Sequence, residues 1–139
     1  MSHLIYLDTG IFIGFLLKES PEYRSCKEII TAIREQKQKV LFSVLNISEV
    51  FYILQREHVS TDRIRKAIEE LAKLPYVTLI EVPIKIELNA LKIAEKYNID
   101  LTDATTYLLM KENKIKFIYA LDKHYDRFKD LQRLTELKY

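Results

Sequence analysis

This chain of 139 residues contains little glycine, a single cysteine and no long apolar run, and each shortage excludes a class of protein. The two glycines, Gly10 and Gly14, cannot form the glycine-rich loops with which nucleotide-binding proteins hold phosphate groups. Cys26 has no partner for a disulfide or a thiolate metal site, which favours a reducing compartment. No apolar run approaches the roughly 18 residues of a membrane helix, and the amino terminus does not resemble a signal peptide. We therefore expect a cytoplasmic protein with no membrane partner.

The composition is typical of a globular protein, with 48% apolar and 30% charged residues. The length suffices for a substantial core, so we predict a single domain over residues 1–139. A formal net charge of +2 is too small to predict nucleic-acid binding by itself. The basic residues between Lys111 and Lys138 surround Asp122, and this distribution fits either a solvated surface or a rim that attracts phosphate.

Strand and helix patterns alternate along the whole chain. Short apolar runs predict strands at residues 3–8, 39–43, 76–82 and 116–121, with a fifth at 134–137. Amphipathic segments between them predict helices, one beginning at Ser20-Pro21 and another capped by Ser60. Strands separated by helices predict an α/β fold, a three-layer α/β/α sandwich around a mainly parallel sheet of four to five strands.

Four acidic residues lie beside predicted buried elements, where a carboxylate is costly unless a cation compensates it. Asp8 and Asp122 follow the first and the fourth predicted strands. Glu49 lies in the helix after the second strand, and Asp103 lies in the first turn of the helix before the fourth. Ligand sites in parallel sheets form beyond the carboxyl ends of the strands, so we expect these four side chains to converge there.

Converging carboxylates predict a divalent cation, and oxygen ligands suit Mg²⁺ or Mn²⁺. One or two such ions can activate water and stabilise the leaving oxygen in phosphodiester hydrolysis. Each acid also has a plainer interpretation. Asp8 and Asp103 could stabilise helix termini, Glu49 could be an exposed helical residue, and Asp122 could be a turn residue.

With these motifs in this order, the chain resembles the PIN-domain family, and within it the VapC-like toxin ribonucleases. The motifs are Leu4-Ile5-Tyr6-Leu7-Asp8-Thr9, Ser48-Glu49-Val50, Leu101-Thr102-Asp103-Ala104 and Leu121-Asp122-Lys123-His124-Tyr125-Asp126-Arg127-Phe128. The resemblance implies a PIN-like fold and a metal-dependent endoribonuclease. Its catalytic acidic quartet would be Asp8, Glu49, Asp103 and Asp122, with Asp8 and Asp103 as the principal metal ligands.

The resemblance also implies Mg²⁺ or Mn²⁺ as cofactor, an RNA substrate, a homodimer, and a small antitoxin protein that blocks the site. One position departs from the pattern, because many relatives place Thr or Ser where this chain has Ala120.

Other functions stay open within the same fold. The chain could be a housekeeping RNA-processing nuclease, or a catalytically silent subunit that binds RNA or protein. Phe51, Tyr52 and Leu54 are candidates for a surface that binds a second copy or an antitoxin. His124 could contact an RNA phosphate, although a histidine in a surface turn is the simpler interpretation. Asp8-Thr9-Gly10 also spells the aspartic-protease tripeptide, but those enzymes are all-β and need two such aspartates.

Overall fold

The computed structural model describes residues 3–137 and centres on a five-stranded sheet with the order β3-β2-β1-β4-β5. All neighbouring strands are parallel. The strands are β1 (Ile5–Leu7), β2 (Val40–Ser43), β3 (Val77–Ile80), β4 (Phe117–Tyr119) and β5 (Gln132–Leu134). The helices are α1 (Thr9–Leu16), α2 (Tyr23–Arg34), α3 (Val44–Arg56), α4 (Thr61–Lys73), α5 (Ile84–Tyr97) and α6 (Leu101–Glu112), and a 3₁₀ helix (Lys123–Arg127) follows β4.

Helices cover both faces of this sheet. Ile5 and Leu7 of β1 point into a core formed with α1, α2, α3 and α4, whereas Tyr6 points into a second core formed with α5 and α6. This alternation follows from the period of two in a strand, and apolar residues on both faces explain the continuous apolar run. The predicted α/β/α sandwich with a parallel sheet is confirmed.

The strand order reverses between β1 and β4, which lie side by side in the middle of the sheet. From β1 the chain moves outward to β2 and then β3, and it returns to the other side for β4 and β5. The Asp8 amide donates to the Tyr119 carbonyl at 2.9 Å, which ties the carboxyl ends of the two central strands together. This reversal is the place where open parallel sheets form their ligand sites.

Two local predictions are wrong and one is confirmed. The fifth strand lies at Gln132–Leu134 rather than 134–137, since Gln132 pairs with Phe117 of β4. The Ser20 hydroxyl accepts from the Glu22 amide in a turn before α2, so it does not cap that helix, which begins at Tyr23. Ser60 does cap α4, because its hydroxyl accepts from the Arg63 amide at 3.3 Å.

The predicted binding surface on α3 is only partly exposed. Leu54 is fully buried in the first core, and Phe51 packs against that core, so both serve mainly packing. Tyr52 is 59% exposed and is the member of this set that faces solvent. Between residues 3 and 137, no helix is both long and apolar enough to cross a membrane.

Candidate metal centre

Asp8 lies directly after β1 and is buried, with 7% of its surface exposed. It occupies the N-cap position of α1, but its side chain makes no capping hydrogen bond. Instead, its Oδ1 accepts a hydrogen bond from the Tyr125 hydroxyl at 3.2 Å. Burial, together with the charges of Glu49 and Asp103, raises the pKa of Asp8 to about 7. A helix cap therefore does not account for this carboxylate.

Asp103 lies in the first turn of α6 and is also buried. Its Oδ2 is 3.1 Å from His124 Nδ1. Burial raises the pKa of Asp103, and the hydrogen bond with His124 opposes this increase only in part. A carboxylate in such a place favours either a proton or a cation.

Glu49 is held in place by a chain of buried polar side chains. The Thr9 hydroxyl donates to Glu49 Oε1 at 2.6 Å, and Asn46 Nδ2 donates to that hydroxyl at 2.9 Å. The Tyr6 hydroxyl in turn donates to Asn46 Oδ1 at 2.6 Å. Burial raises the pKa of Glu49 more than the Thr9 hydrogen bond lowers it, and the charges of nearby aspartates raise it further. Glu49 is therefore a positioned, partly buried carboxylate rather than an exposed helical residue.

Asp122 is more exposed than Asp8 and Asp103, and it caps the 3₁₀ helix. Its Oδ1 accepts from the His124 amide at 2.8 Å and lies 3.3 Å from His124 Nδ1. The turn-residue interpretation therefore describes one part of its role. Asp122 also belongs to the acidic cluster, because its charge raises the pKa values of Asp103 and Glu49.

Little positive charge compensates these four carboxylates. Within residues 3–137, no lysine or arginine forms an ion pair with Asp8, Glu49, Asp103 or Asp122. The imidazole of His124 is the basic group that contacts two of them, and the hydrogen bond with Asp103 raises its pKa. Donor atoms of Asp103, Asp122 and His124 lie within 4.8 Å of one another. Partly buried oxygen donors that repel each other are a set that fits a divalent cation; Asp8 and Asp103 as principal ligands stay a prediction.

Comparison with known families decides the fold family. The PIN domain model matches residues 5–131. The chain belongs to the PIN domain family. No curated protein matches the sequence.

Solved structures have the same fold at low sequence identity. Mycobacterium tuberculosis VapC20, described as a toxin that cleaves the sarcin–ricin loop, is 18% identical, with a TM-score of 0.77, and the match covers 90% of this chain and 95% of that one. A toxin–antitoxin complex from Klebsiella pneumoniae is 17% identical, with a TM-score of 0.64 over 96% of this chain and 99% of the other. VapBC2 from Rickettsia felis, bound to promoter DNA, is 12% identical, with a TM-score of 0.65 over 95% and 98%.

Several residues that support the acids of this PIN domain were not predicted as such. Thr9 lies within the first motif and Asn46 lies three residues before Glu49, but neither was predicted to support an acid. The sequence did indicate a role for Asn46, because an amide among the apolar residues of the segment Val44–Val50 needs buried hydrogen-bond partners. His124 carried a weaker signal, since only the folded chain brings it to Asp103, which is 21 residues away in sequence.

Three of the basic residues between Lys111 and Lys138 are engaged within the protein. Lys111 pairs with Asp130, Arg133 pairs with Asp126, and Arg127 donates to the Tyr97 carbonyl. Lys138 lies outside the described residues. Lys123 is exposed and directly follows Asp122 in the chain.

Proposed function

We propose that this PIN domain is a metal-dependent endoribonuclease and the toxin of a type II toxin–antitoxin pair, acting in the cytoplasm. One observation carries the nuclease proposal: mutually repelling carboxylates with raised pKa values meet at the reversal of strand order. Structural acids would instead be exposed or paired with basic side chains. The likeness in fold to VapC20 and to toxin–antitoxin complexes supports the toxin role.

In this proposal, Asp8 and Asp103 hold Mg²⁺ or Mn²⁺, and Glu49 and Asp122 complete the site. A bound divalent ion would supply charge stabilisation at the phosphate and make water a better nucleophile. Tyr125 orients the Asp8 carboxylate through its hydroxyl. The raised pKa of Asp8 implies that it loses a proton when the cation binds.

Glu49 is proposed to orient and deprotonate the attacking water. Its Oε1 accepts from Thr9, which fixes the carboxylate and leaves Oε2 for the water. The raised pKa of Glu49 makes it a better proton acceptor near neutral pH than an exposed glutamate would be. The exposed Lys123 ammonium is proposed to contact an RNA phosphate beside this group.

The direct test is cleavage of a mixed pool of structured RNAs in the presence of EDTA, Mg²⁺ or Mn²⁺. Asp8→Asn and Asp103→Asn should abolish cutting while the circular dichroism spectrum is retained, since a neutral amide binds the cation poorly. Asp62→Asn is the matched control, because Asp62 is an exposed carboxylate of α4 that pairs with Lys66. Cutting by either variant at the wild-type rate would overturn the assigned site.

The silent-subunit alternative makes the opposite prediction. A binding subunit would retain RNA through its exposed lysines yet leave the pool intact with every metal, and both Asp→Asn variants would bind like wild type. A neighbouring gene that encodes a small binding partner would distinguish a toxin from a housekeeping nuclease.

We further propose that two copies associate through α5. Ile84, Leu88 and Leu91 of this helix are 78%, 58% and 53% exposed. Their spacing places them on one helical face, and such a contiguous apolar patch is typical of an association surface. Sedimentation equilibrium should show a dimer that Leu88→Lys converts to a monomer. If Leu88→Lys has the same mass in solution as wild type, this patch is not the surface through which two copies associate.

We propose that one part of the antitoxin binds a groove away from the acids. This cavity of about 500 Å³ lies between α1, α3 and α4, and its apolar lining includes Leu16, Val59 and Ala67. Charged residues of both signs stand at the same groove, namely Lys18, Arg63, Lys66, Glu19 and Glu70, so an apolar segment flanked by charged residues of both signs would be complementary. Ala67→Arg should weaken the complex with the antitoxin, measured by calorimetry, and unchanged affinity would exclude this groove.

A further inference from the structure

We propose that His124 is itself a ligand of the divalent cation and that its nitrogen makes the centre select Mn²⁺ over Mg²⁺. The inference rests on the proposed metal-dependent function and adds a ligand that the acidic quartet does not contain. It also gives a role to a side chain that the proposed hydrolysis leaves unused.

The spacing of three donor atoms carries the inference. His124 Nδ1 lies 3.1 Å from Asp103 Oδ2 and 3.3 Å from Asp122 Oδ1. Ligand atoms in adjacent positions around an octahedral ion, each about 2.1 Å from the metal, lie about 3 Å apart. These two distances are therefore those of neighbouring ligands around one cation. Within the described residues, Asp103, Asp122 and His124 are the group of potential metal ligands whose donor atoms all lie within 4.8 Å of one another.

The backbone conformation places His124 beside both carboxylates. Asp122 caps the 3₁₀ helix by accepting from the His124 amide at 2.8 Å, so the carboxylate and the imidazole belong to one turn. Asp103 approaches from α6, an element that is separate in the chain. The His124 side chain is 50% exposed while that of Asp103 is 9% exposed, so a hydrated ion can reach the group from solvent.

The chemistry of the donors gives the selectivity. Mg²⁺ is bound in proteins mostly by oxygen and retains several waters, whereas imidazole suits transition ions. Mn²⁺, like Mg²⁺, favours carboxylate oxygen. Mn²⁺ is also a transition ion, so an imidazole nitrogen among the ligands should raise its affinity more than that of Mg²⁺. Two carboxylates with one imidazole therefore favour Mn²⁺ more than an all-carboxylate quartet does.

The same distances would arise if Nδ1–H donated hydrogen bonds to the two carboxylates without touching the metal. Pulsed electron paramagnetic resonance of bound Mn²⁺ separates the two, because a coordinated imidazole gives a ¹⁴N hyperfine coupling and a distant ring does not. His124→Ala and His124→Gln are the test variants. His3→Ala is the matched control, since His3 precedes β1 at the amino ends of the strands, away from the acids, and packs near Phe117.

We expect the coupling in wild type and in His3→Ala, and its loss in both His124 variants. Calorimetry should show Mn²⁺ affinity falling by about tenfold or more in those variants, with a much smaller change for Mg²⁺. Bound Mn²⁺ without imidazole coupling, or equal losses for the two ions, would overturn this inference and leave the nuclease proposal standing. Failure of wild type to bind either ion would overturn both.

Discussion

Thr9 donates a hydrogen bond of 2.6 Å from its hydroxyl to Glu49 Oε1 and thereby connects the start of α1 to the middle of α3. Asn46 donates to the same hydroxyl, so the direction of the bond toward Glu49 is fixed. The carboxylate that we propose as the proton acceptor is thus positioned by a residue next to Asp8. The orientation of Glu49 therefore depends on side chains outside the acidic quartet.

Thr9→Val should lower the rate of RNA cleavage by on the order of 10–100-fold, the range that applies when a group supporting a metal site is removed. The valine keeps the shape of threonine but cannot hold Glu49, so kcat should fall more than KM rises. Thr78→Val is the matched control, because Thr78 is an exposed residue of the edge strand β3. Equal kinetics for Thr9→Val and wild type would show that Glu49 needs no such support.

The metal-free protein should lose stability as the pH rises. The pKa of Asp8 is about 7 in the folded state against a reference of 3.8, so the folded protein binds more protons between those values. The free energy of unfolding of the metal-free protein therefore falls across this window, and the loss is complete above it. Glu49 and Asp103 act in the same direction.

Asp8→Asn should remove much of this pH dependence. Above the folded-state pKa of Asp8, at about pH 8, the metal-free variant should be more stable than wild type by up to about 4 kcal/mol, because the pKa of Asp8 rises from 3.8 to about 7 on folding and each pH unit of that difference corresponds to about 1.4 kcal/mol. Urea unfolding in EDTA at several pH values measures this effect. Parallel curves for the variant and wild type would mean that the pKa of Asp8 is not raised in the folded protein.

Added Mn²⁺ or Mg²⁺ should reverse that trend in wild type. A cation binds the deprotonated carboxylates, so its stabilising effect should grow as the pH rises through about 7. Thermal unfolding without metal and with metal at about 100 times its measured dissociation constant would then show about 2.7 kcal/mol of added stability. Asp103→Asn should show little of it, and an equal gain in that variant would place the ion elsewhere.

Lys123→Glu should weaken RNA binding and reduce its dependence on salt. A lysine that neutralises one phosphate of a single strand contributes about 0.7 to the slope of log K against log salt. Lys116→Glu is the matched control, because both lysines are exposed and flank β4, Lys116 at its amino end and Lys123 beyond its carboxyl end. Fluorescence anisotropy at several salt concentrations gives the slopes. Equal slopes for the two variants would show that Lys123 is a solvated surface residue that does not neutralise an RNA phosphate.

The α/β/α fold was predictable because it depends on local patterns. Apolar runs such as Leu4–Leu7 and amphipathic helices such as α4 reveal their class within a few residues. The convergence of the acids was also predictable, because the carboxyl ends of parallel strands meet at one side of the sheet. Asp8 and Asp122 follow strands that lie side by side. The support around them was not predictable, because Thr9 and Asn46 meet only through the pairing of distant elements.

The two wrong boundaries have different causes, one a local turn and the other the pairing of distant segments. Ser20 and Pro21 have the residue types of a helix start, yet the Ser20 hydroxyl bonds the Glu22 amide and closes a turn first. The fifth strand was misplaced because its position is set by pairing with β4, where Gln132 donates to the Lys116 carbonyl at 2.8 Å. A polar segment such as Gln132-Arg133 carries no apolar run that would have indicated a strand.

A side chain at Gly14 is expected to destabilise the protein because of the packing around this position. A Cβ at this position would lie 2.7 Å from Cys26 Sγ, where α1 packs against α2, and Cys26 is fully buried. Gly14→Ala should therefore destabilise the protein by about 1–3 kcal/mol through overpacking, although alanine favours a helix. In a Cys26→Ala background the clash is removed, so the same change should be neutral or stabilising by up to about 1 kcal/mol. Urea unfolding of the four proteins gives the coupling energy, and additive effects would show that the two helices separate freely at this contact.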